Sequence, residues 1–188
     1  MYKRILITLA ALVALLLVTV TSVTAEKAEP PQKPSCQGME PLPTRNMGHI
    51  AIIVRDIEKA AKEWAALFGM EVPQWSLIDP PEKSNIRYRG KPTEARLKTA
   101  FLNLDNLRIE LMEPVGGPST WMDFLQNQGE GVHHVAFKIK GMDDYVAKLE
   151  KQGMSLIQRG EWTVYTGGCY AYFDTPQLGV ILELVENY

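Results

Sequence analysis

The stretch HIAIIVRDI, His49 to Ile57, decides the fold because it returns later in the chain as HVAFKIKGM, His134 to Met142. Both stretches begin with a histidine, an apolar residue, an alanine and another apolar residue, which indicates a buried strand. Each continues into apolar residues at helical spacing and then reaches a glycine, Gly69 or Gly153, where a helix is expected to end. The repeat indicates that one strand–helix unit occurs twice in the chain.

The last predicted strand of each half is repeated as well. RIELMEP, Arg108 to Pro114, matches ILELVEN, Ile181 to Asn187, and both segments carry two glutamates three residues apart. Each half is then a strand, a helix and several further strands, and neither half can bury a substantial core alone. The sequence therefore predicts an α+β fold, in which tandem βαβββ modules form two curved mixed sheets around a shared cavity. The predicted bounds are 47–114 for module one, 118–128 for a linker helix and 131–188 for module two.

The N-terminus has the three parts of a secretory signal peptide. A short basic region precedes an unbroken apolar run, Ile5 to Val20, and the small residues of VTA at 23–25 provide a cleavage site. We expect residues 1–25 to be removed and the protein to be exported to a periplasmic or extracellular location, without stable membrane association afterwards. An uncleaved membrane anchor is the alternative, because the run approaches the length that spans a bilayer. Residues 26–46 are rich in proline, which predicts a leader or linker.

Composition and charge narrow the classes of function. The 188-residue chain has a formal net charge of −2 and 22% charged residues, which is ordinary for one globular domain. A near-neutral chain gives no sign of the basic surface that nucleic acid binding needs, so we expect no nucleic acid partner.

Two cysteines are present, Cys36 in the leader and Cys169 far downstream. In an oxidising compartment they either pair or stay separate, and the sequence leaves both open.

The repeat places four metal-capable side chains at equivalent positions, with His49 over His134 and Glu110 over Glu183. Each histidine is followed two residues later by a small alanine, which leaves room on the same strand face. Each glutamate stands among apolar residues, where burying a bare carboxylate is costly. A divalent cation removes that cost, and two nitrogen and two oxygen ligands suit zinc, nickel, cobalt, manganese or iron(II). We therefore predict that the shared cavity binds one divalent metal ion, whose identity the sequence leaves open.

The neighbouring His133 has no histidine counterpart in the first half, because it aligns with Gly48. Strand alternation directs His133 and His134 to opposite faces of their strand. We therefore predict that His134 is the metal ligand and that His133 is a structural or surface residue.

The whole pattern resembles the vicinal oxygen chelate superfamily, which contains glyoxalases, bleomycin-resistance proteins and extradiol dioxygenases. The likeness covers about Met47 to Tyr188 and is closest to the methylmalonyl-CoA epimerase-like branch. The segments that carry it are IELMEP at 109–114, GGPSTWMDFLQNQGEGVHHVAF at 116–137 and LGVILELVE at 178–186. The superfamily more generally is matched by GHIAIIV at 48–54 and EWAALFGM at 63–70.

The resemblance implies that the metal ligands are His49, Glu110, His134 and Glu183. The second position is often glutamine in the epimerases and glutamate in glyoxalase I, so Glu110 is closer to the latter. Family members that act on carbonyl compounds use the metal as a Lewis acid and a carboxylate as the base for an α-proton, which gives Glu183 or Glu110 a catalytic role. The epimerases use a further glutamate near the third strand of the first module, and Glu94 is close to that position without matching it clearly. The family also implies a homodimer.

The segment from Leu77 to Glu94 is longer than a minimal hairpin and resembles a family-specific wall of the substrate cavity. The basic residues in and just after it either form a rim for an anionic small-molecule substrate or belong to a solvated loop. They are Arg87, Arg89, Lys91 and Arg96.

Together the residues and the resemblance predict a divalent-metal-dependent enzyme of the glyoxalase or epimerase-like type, an isomerase or lyase that enolises a small carbonyl or carboxylate substrate. Coenzyme A and glutathione substrates are cytosolic, so an exported protein is not expected to be an ordinary epimerase or glyoxalase for them. Two alternatives remain: an exported metal-free small-molecule-binding protein of the bleomycin-resistance type, and an iron(II) extradiol-type dioxygenase. A dioxygenase site uses two histidines and one carboxylate, so a fourth ligand at Glu110 would crowd it.

Overall fold

The computed structural model describes residues 35–42, 44–163 and 167–188. The predicted signal peptide, residues 1–25, and most of the leader lie outside these ranges, and so does the apolar run from Ile5 to Val20. Within the part of the chain that the structure describes, no helix is long and apolar enough to cross a membrane.

The elements follow the order that the repeat predicts, with one insertion. The first module contains β1 (Met47–Ile53), α1 (Ile57–Phe68), β2 (Ser76–Leu77), α2 (Pro81–Ser84), β3 (Arg87–Tyr88), β4 (Lys91–Pro92), β5 (Leu97–Asn103) and β6 (Arg108–Pro114). The linker helix is α3 (Thr120–Asn127). The second module contains β7 (Gly131–Lys138), α4 (Met142–Lys151), β8 (Ser155–Trp162), β9 (Gly168–Asp174) and β10 (Ile181–Asn187). The insertion is the run of α2, β3 and β4, which has no counterpart in the second module.

The strands of both modules form one continuous ten-stranded sheet in the order β2-β5-β6-β1-β7-β10-β9-β8-β3-β4. β1 pairs antiparallel with β7, so the two predicted curved sheets meet at a central seam. Within each module the first strand runs parallel to the last, β1 beside β6 and β7 beside β10. The predicted α+β fold is confirmed, with the mixed sheet curled into a half-barrel.

The helices α1 and α4 cover the same face of this sheet, which we call the outer face. The apolar side of α1 packs on β5 and β6, and that of α4 packs on β8, β9 and β10. α1 begins where the side chain of Asp56 accepts a hydrogen bond from the N–H of Lys59, and it ends at Gly69 in the left-handed conformation. Both helices therefore arise where the repeated apolar spacing predicts them.

Each of the two helices also receives a glutamate from the last strand of its own module. Glu113 on β6 accepts a hydrogen bond from the N–H of Ile57 at 2.9 Å. Glu186 on β10 accepts from the N–H of Met142 at 2.8 Å and from that of Gly141 at 3.0 Å. A carboxylate at a helix N-terminus satisfies free N–H groups and complements the helix dipole. The second glutamate of each repeated segment is thus a helix cap, placed on the outer face.

The opposite, inner face is filled at one end of the half-barrel. Apolar residues from both modules, from α3 and from the insertion pack together there, and they include Trp121 of α3 and Ile86. The buried cluster comprises Ala51, Ile53, Ile86, Ala95, Leu97, Met112, Trp121, Tyr170 and Tyr172. This end of the half-barrel is therefore closed by side chains.

Residues 78–96, which we call the wall segment, join the two edges of the sheet. At its start, the N–H of Ile78 donates to the carbonyl of Leu97 on β5. Farther along, Arg87 on β3 is paired with Arg159 on β8, at the other side of the sheet. Asp79 also accepts hydrogen bonds from the N–H and the hydroxyl of Thr163, at 2.6 and 2.8 Å. The segment therefore connects the two edges of the sheet, and its role as a wall of the substrate cavity stays a prediction.

The described part of the leader contacts the second module. Leu42 packs against the apolar cluster beneath α4, and Glu40 forms a 2.5 Å ion pair with Lys148 of that helix. The two cysteines of the chain are not bonded to each other, since Cys36 is free and exposed whereas Cys169 is free and buried.

Candidate metal centre

Four adjacent strands in the middle of the sheet each place one predicted ligand on the inner face. In sheet order the four residues are Glu110 on β6, His49 on β1, His134 on β7 and Glu183 on β10. Two of these strands come from each module, and the seam between β1 and β7 runs through the group. The structure therefore brings together all four residues that the sequence repeat singled out.

Two alanines at the seam make room for this group. The strand register places one histidine and one glutamate beside each alanine: Glu110 and His134 beside Ala51, and His49 and Glu183 beside Ala136. Both alanines are fully buried. Their small side chains leave space between the four longer ones, as the repeated His–apolar–Ala pattern predicts.

Three of the four side chains bring their ligand atoms into close contact. The Nε2 atom of His49 lies 3.0 Å from Nε2 of His134 and 3.0 Å from Oε2 of Glu183. Nε2 of His134 lies 3.2 Å from the same glutamate oxygen. Glu110 is placed more to one side, with Oε2 3.0 Å from Nε2 of His49 but 4.0 Å from Nε2 of His134.

Burial and charge perturb this group strongly. His134 is fully buried, Glu183 is 4% exposed, and His49 and Glu110 are each 9% exposed. Burial lowers the pKa of His49, but the carboxylates of Glu183 and Glu110 raise it more, to about 10. Burial raises the pKa of Glu183, but His134 and His49 lower it more, to about 2. Without a metal ion, the group is therefore held together by an imidazolium and carboxylates.

The donor set and its spacing fit a divalent cation. Oε2 of Glu183 is buried and has no well-formed hydrogen bond to any described residue, although two imidazole nitrogens lie within 3.2 Å of it. Around one ion with bonds of about 2.0–2.2 Å, neighbouring ligand atoms are separated by roughly 2.8–3.6 Å, from octahedral to tetrahedral angles. The separations of 3.0 to 3.2 Å among His49, His134 and Glu183 match this spacing. These three residues form a potential metal-binding group, and Glu110 stands beside them as a fourth candidate ligand.

The prediction that His133 points away from His134 is wrong. His133 is 1% exposed, and its Nδ1 atom lies 2.9 Å from Nδ1 of His134. The reason is a β-bulge at the seam: Ala51 is paired with His134 but Ile52 is paired with Val132, so His133 is an extra residue. The bulge interrupts the alternation of side chains on which the prediction depended. Burial, followed by the neighbouring His134, lowers the pKa of His133 well below its ordinary value.

Tyr172 is a further residue of the site that the sequence did not single out. Its ring centroid lies 4.8 Å from that of His134 and 5.5 Å from that of His133. Its hydroxyl accepts a hydrogen bond from Nε1 of Trp121 at 3.2 Å. Tyr172 is paired with Glu183 across β9 and β10 and so shares its face, but this pairing of two strands cannot be read from the sequence of β9 alone.

The wall segment contains the other residues whose roles the sequence left open, Glu94 and the basic residues. Glu94 is exposed. Arg89 forms a 3.4 Å ion pair with Asp123 of α3, and Arg96 donates to the carbonyl of Ile78 at 3.1 Å. Arg96 is therefore bound within the wall segment itself, and Arg89 is bound to α3.

The opposite end of the half-barrel contains a cavity of about 370 Å³. Met47 and Gly48, which line it, directly precede His49, and Arg108 is two residues before Glu110 on the same strand face. The full lining is Met47, Gly48, Asn103, Leu104, Asn106, Leu107, Arg108 and Lys138. The guanidinium of Arg108 lies 3.7 Å from the Phe101 ring centroid, and that ring lies 6.3 Å from the His49 ring. This polar, cationic cavity, which we call the approach cavity, lies at the strand ends that precede His49 and Glu110, and neither of these two residues lines it.

Comparisons with known proteins agree with the fold and with the superfamily that the sequence resembles. The model of the glyoxalase/bleomycin resistance protein/dioxygenase superfamily matches residues 48–173. The human mitochondrial methylmalonyl-CoA epimerase is 30% identical over 143 residues, which cover 74% of this chain and 73% of that protein. An ethylmalonyl-CoA/methylmalonyl-CoA epimerase of Cereibacter sphaeroides is 28% identical over 145 residues, covering 74% of this chain and 96% of that protein.

Solved structures show the same fold. The methylmalonyl-CoA epimerase of Mycobacterium tuberculosis superposes with a TM-score of 0.56 at 20% identity, covering 76% of this chain and 88% of that one. The Streptomyces coelicolor methylmalonyl-CoA epimerase in complex with 2-nitronate-propionyl-CoA gives a TM-score of 0.55 at 23% identity, covering 76% and 96%. Because the family model matches more than half of the chain, the chain belongs to the glyoxalase/bleomycin resistance protein/dioxygenase superfamily.

Proposed function

We propose that the protein is a divalent-metal-dependent isomerase that removes and returns the α-proton of a small carbonyl or carboxylate substrate. One observation carries this proposal: ligand atoms of His49, His134 and Glu183 lie 3.0 to 3.2 Å apart, beside a second carboxylate. The similarity to epimerases supports the choice of an isomerase over a lyase.

The two carboxylates are suited to different tasks. Glu183 is close to both histidines, which suits a permanent ligand for the cation. Glu110 is close to one histidine only, and its side chain is 12% exposed, compared with 5% for Glu183. A less constrained carboxylate can accept a proton from a substrate carbon. A bound divalent cation would supply Lewis acidity for the substrate's carbonyl oxygen.

The approach cavity supports an anionic substrate. Its lining includes two exposed cations, Arg108 and Lys138, and Arg108 is two residues before Glu110 on β6. The relatives are named for coenzyme A thioesters, whose acyl carbon next to the carbonyl carries a weakly acidic proton. These thioesters are the first substrates to test, together with free 2-substituted carboxylates and ketones that an exported enzyme could meet.

The test is proton–deuterium exchange at the α-carbon, followed by NMR in D₂O with metal-loaded protein. Glu110→Gln should retain metal and lower the exchange rate by about 100-fold or more, since a general base of this kind contributes 10²–10⁴-fold. Glu183→Gln should lose both metal and exchange. The matched control is Glu113→Gln, on the same strand as Glu110 but directed to the outer face, which should retain both.

Two results would refute the proposal. A wild-type protein that binds metal yet exchanges no α-proton in the whole panel is not such an isomerase. A protein that binds a small ligand equally well in the presence of a chelator is instead a metal-free binding protein.

We further propose that the protein is exported, on the support of the basic, apolar and small-residue pattern in residues 1–25. Mass spectrometry of the protein from separated cell fractions tests this. A mature chain beginning after residue 25 in the exported fraction is the expected result, and a full-length chain in the cytosol would contradict it.

A further inference from the structure

The bulge in β7 places two histidine rings side by side on the inner face, and only one of them reaches the metal-binding group. His134 directs Nε2 to His49 and Glu183, at 3.0 and 3.2 Å. Its other ring nitrogen, Nδ1, lies 2.9 Å from Nδ1 of His133. His133 has no role in the proposed chemistry, yet it is almost completely buried.

The tautomers of His133 and His134 follow from which ring nitrogens can carry a proton. A neutral imidazole has one N–H donor and one acceptor nitrogen. For His134 to offer the lone pair of Nε2 to a cation, its proton must be on Nδ1. The contact between the two Nδ1 atoms then requires that His133 accept this hydrogen bond. The proton of His133 must consequently be on its own Nε2.

The surroundings hold His133 in the orientation that this role needs. Its ring meets Phe124 of α3 edge to face at 5.4 Å and Tyr172 at 5.5 Å, measured between centroids. Its Nε2 atom is buried without a hydrogen bond to any described residue, and the backbone of Thr120 is a polar neighbour of the ring. Thr120 is in turn fixed by hydrogen bonds to Gln158. The packing of α3 and β9 against the ring therefore holds it in place.

We propose that His133 is a positioning residue that holds His134 in the Nδ1–H tautomer, with Nε2 free to bind the divalent cation. This inference rests on the proposed metal site. A metal-binding histidine almost always donates its second ring N–H to a partner, and loss of the partner costs 10- to 100-fold in metal affinity. Here the partner is the adjacent histidine in the same strand, and the bulge makes the contact possible.

The experiment measures zinc or cobalt affinity of chelator-treated protein by competition with a chromophoric chelator. His133→Phe keeps a ring of similar shape without an acceptor, and it should weaken the affinity by about 10- to 100-fold. His133→Asn places an amide oxygen near the position of Nδ1 and should restore most of the affinity. Val132→Ala, in the same strand with a half-exposed side chain, is the matched control and should bind as the wild type does.

A measurement on the wild type alone covers the case in which a variant fails to fold. With ¹⁵N-labelled histidines and bound zinc, NMR should show the proton of His134 on Nδ1, strongly shifted downfield, and that of His133 on Nε2. A protonated Nδ1 on His133, or equal metal affinity in wild type and His133→Phe, would overturn the inference while leaving the metal site intact. A wild type that binds neither metal would overturn the metal site and the inference with it.

Discussion

At the scale of single residues, the metal-free centre already contains a positive charge on His49, and a metal cation would have to displace that proton in order to bind. The carboxylates beside His49 raise its pKa to about 10, although burial acts in the opposite direction. At neutral pH this imidazole is therefore protonated in the metal-free protein, and Nε2 cannot bind a cation until the proton leaves. The same carboxylates that would hold the metal thus stabilise the metal-free state as well.

We therefore predict that metal binding between pH 7 and 9 releases about one proton and tightens with rising pH, because a ligand must be deprotonated before it binds. Calorimetry of zinc binding in two buffers of different ionisation enthalpy, at the same pH, measures the released proton. A heat of binding that does not depend on the buffer would contradict the protonated His49.

The same pKa values set the pH range in which the metal-free centre stabilises the fold. The contribution of His49 is fully present below its ordinary pKa of 6.5 and is lost as the pH rises through about 10. The contribution of Glu183 is fully present above its ordinary pKa of 4.5 and is lost as the pH falls through about 2. The two contributions therefore overlap fully between pH 4.5 and 6.5.

The grouping of the site was predictable from the sequence, but the surroundings of the site were not. His49 and His134 open equivalent strands, and Glu110 and Glu183 lie in equivalent last strands, so the repeat alone groups them. The position of His133 was not predictable, because a bulge depends on how two strands pair, and side-chain alternation in one strand carries no sign of it.

At the scale of elements, the last strand of each module serves both faces of the sheet. Glutamates three residues apart in a strand point to opposite faces. On β10, Glu183 contributes to the metal-binding group, whereas Glu186 accepts hydrogen bonds at the start of α4. On β6, Glu110 and Glu113 divide the same two tasks, with Glu113 at the start of α1. The strand thereby ties the position of its helix to the position of its ligand.

Loss of one of these caps should weaken the fold without removing the metal. Glu186→Ala removes the acceptor for two N–H groups of α4, and we expect a loss of about 1 kcal/mol in the free energy of unfolding. Urea unfolding measures this, with Glu150→Ala on the exposed side of α4 as the control. An unfolding free energy equal to that of the control would show that the cap contributes nothing.

The helices α1 and α4 were predictable from local sequence patterns, whereas the insertion was not. Apolar spacing and end glycines predicted α1 and α4, and both helices are present. The wall segment has no such periodicity. Its short strands β3 and β4 exist because β8 offers an edge from the other module, which is a contact between distant parts of the chain.

At the scale of the whole molecule, the two modules share one sheet and one candidate centre. The predicted α+β class and tandem modules agree with the structure, but the sequence did not specify how the modules join. The antiparallel pairing of β1 with β7 makes one continuous sheet, and the predicted ligands of both modules meet across this seam.

A cation that bridges the seam should stabilise both modules together. At a free metal concentration of 100 times the dissociation constant, the gain is about 2.7 kcal/mol for a ligand that binds only the folded state. We expect thermal unfolding to remain a single transition, shifted upward by zinc or cobalt and returned by a chelator. His134→Ala should show no such shift, and an equal shift in that variant would indicate metal binding elsewhere.

The register of the seam bears on the ancestry of the chain. Each module supplies one histidine and one carboxylate, and each buried alanine lies between a ligand of its own half and a ligand of the other. A lone βαβββ unit would contain one histidine and one carboxylate of the candidate centre and would complete the group only by pairing with a copy of itself. Fusion of two copies into one gene would make the pairing permanent and free each copy to diverge. The insertion in one half and the histidine-bearing bulge in the other are the kind of asymmetry that such freedom allows.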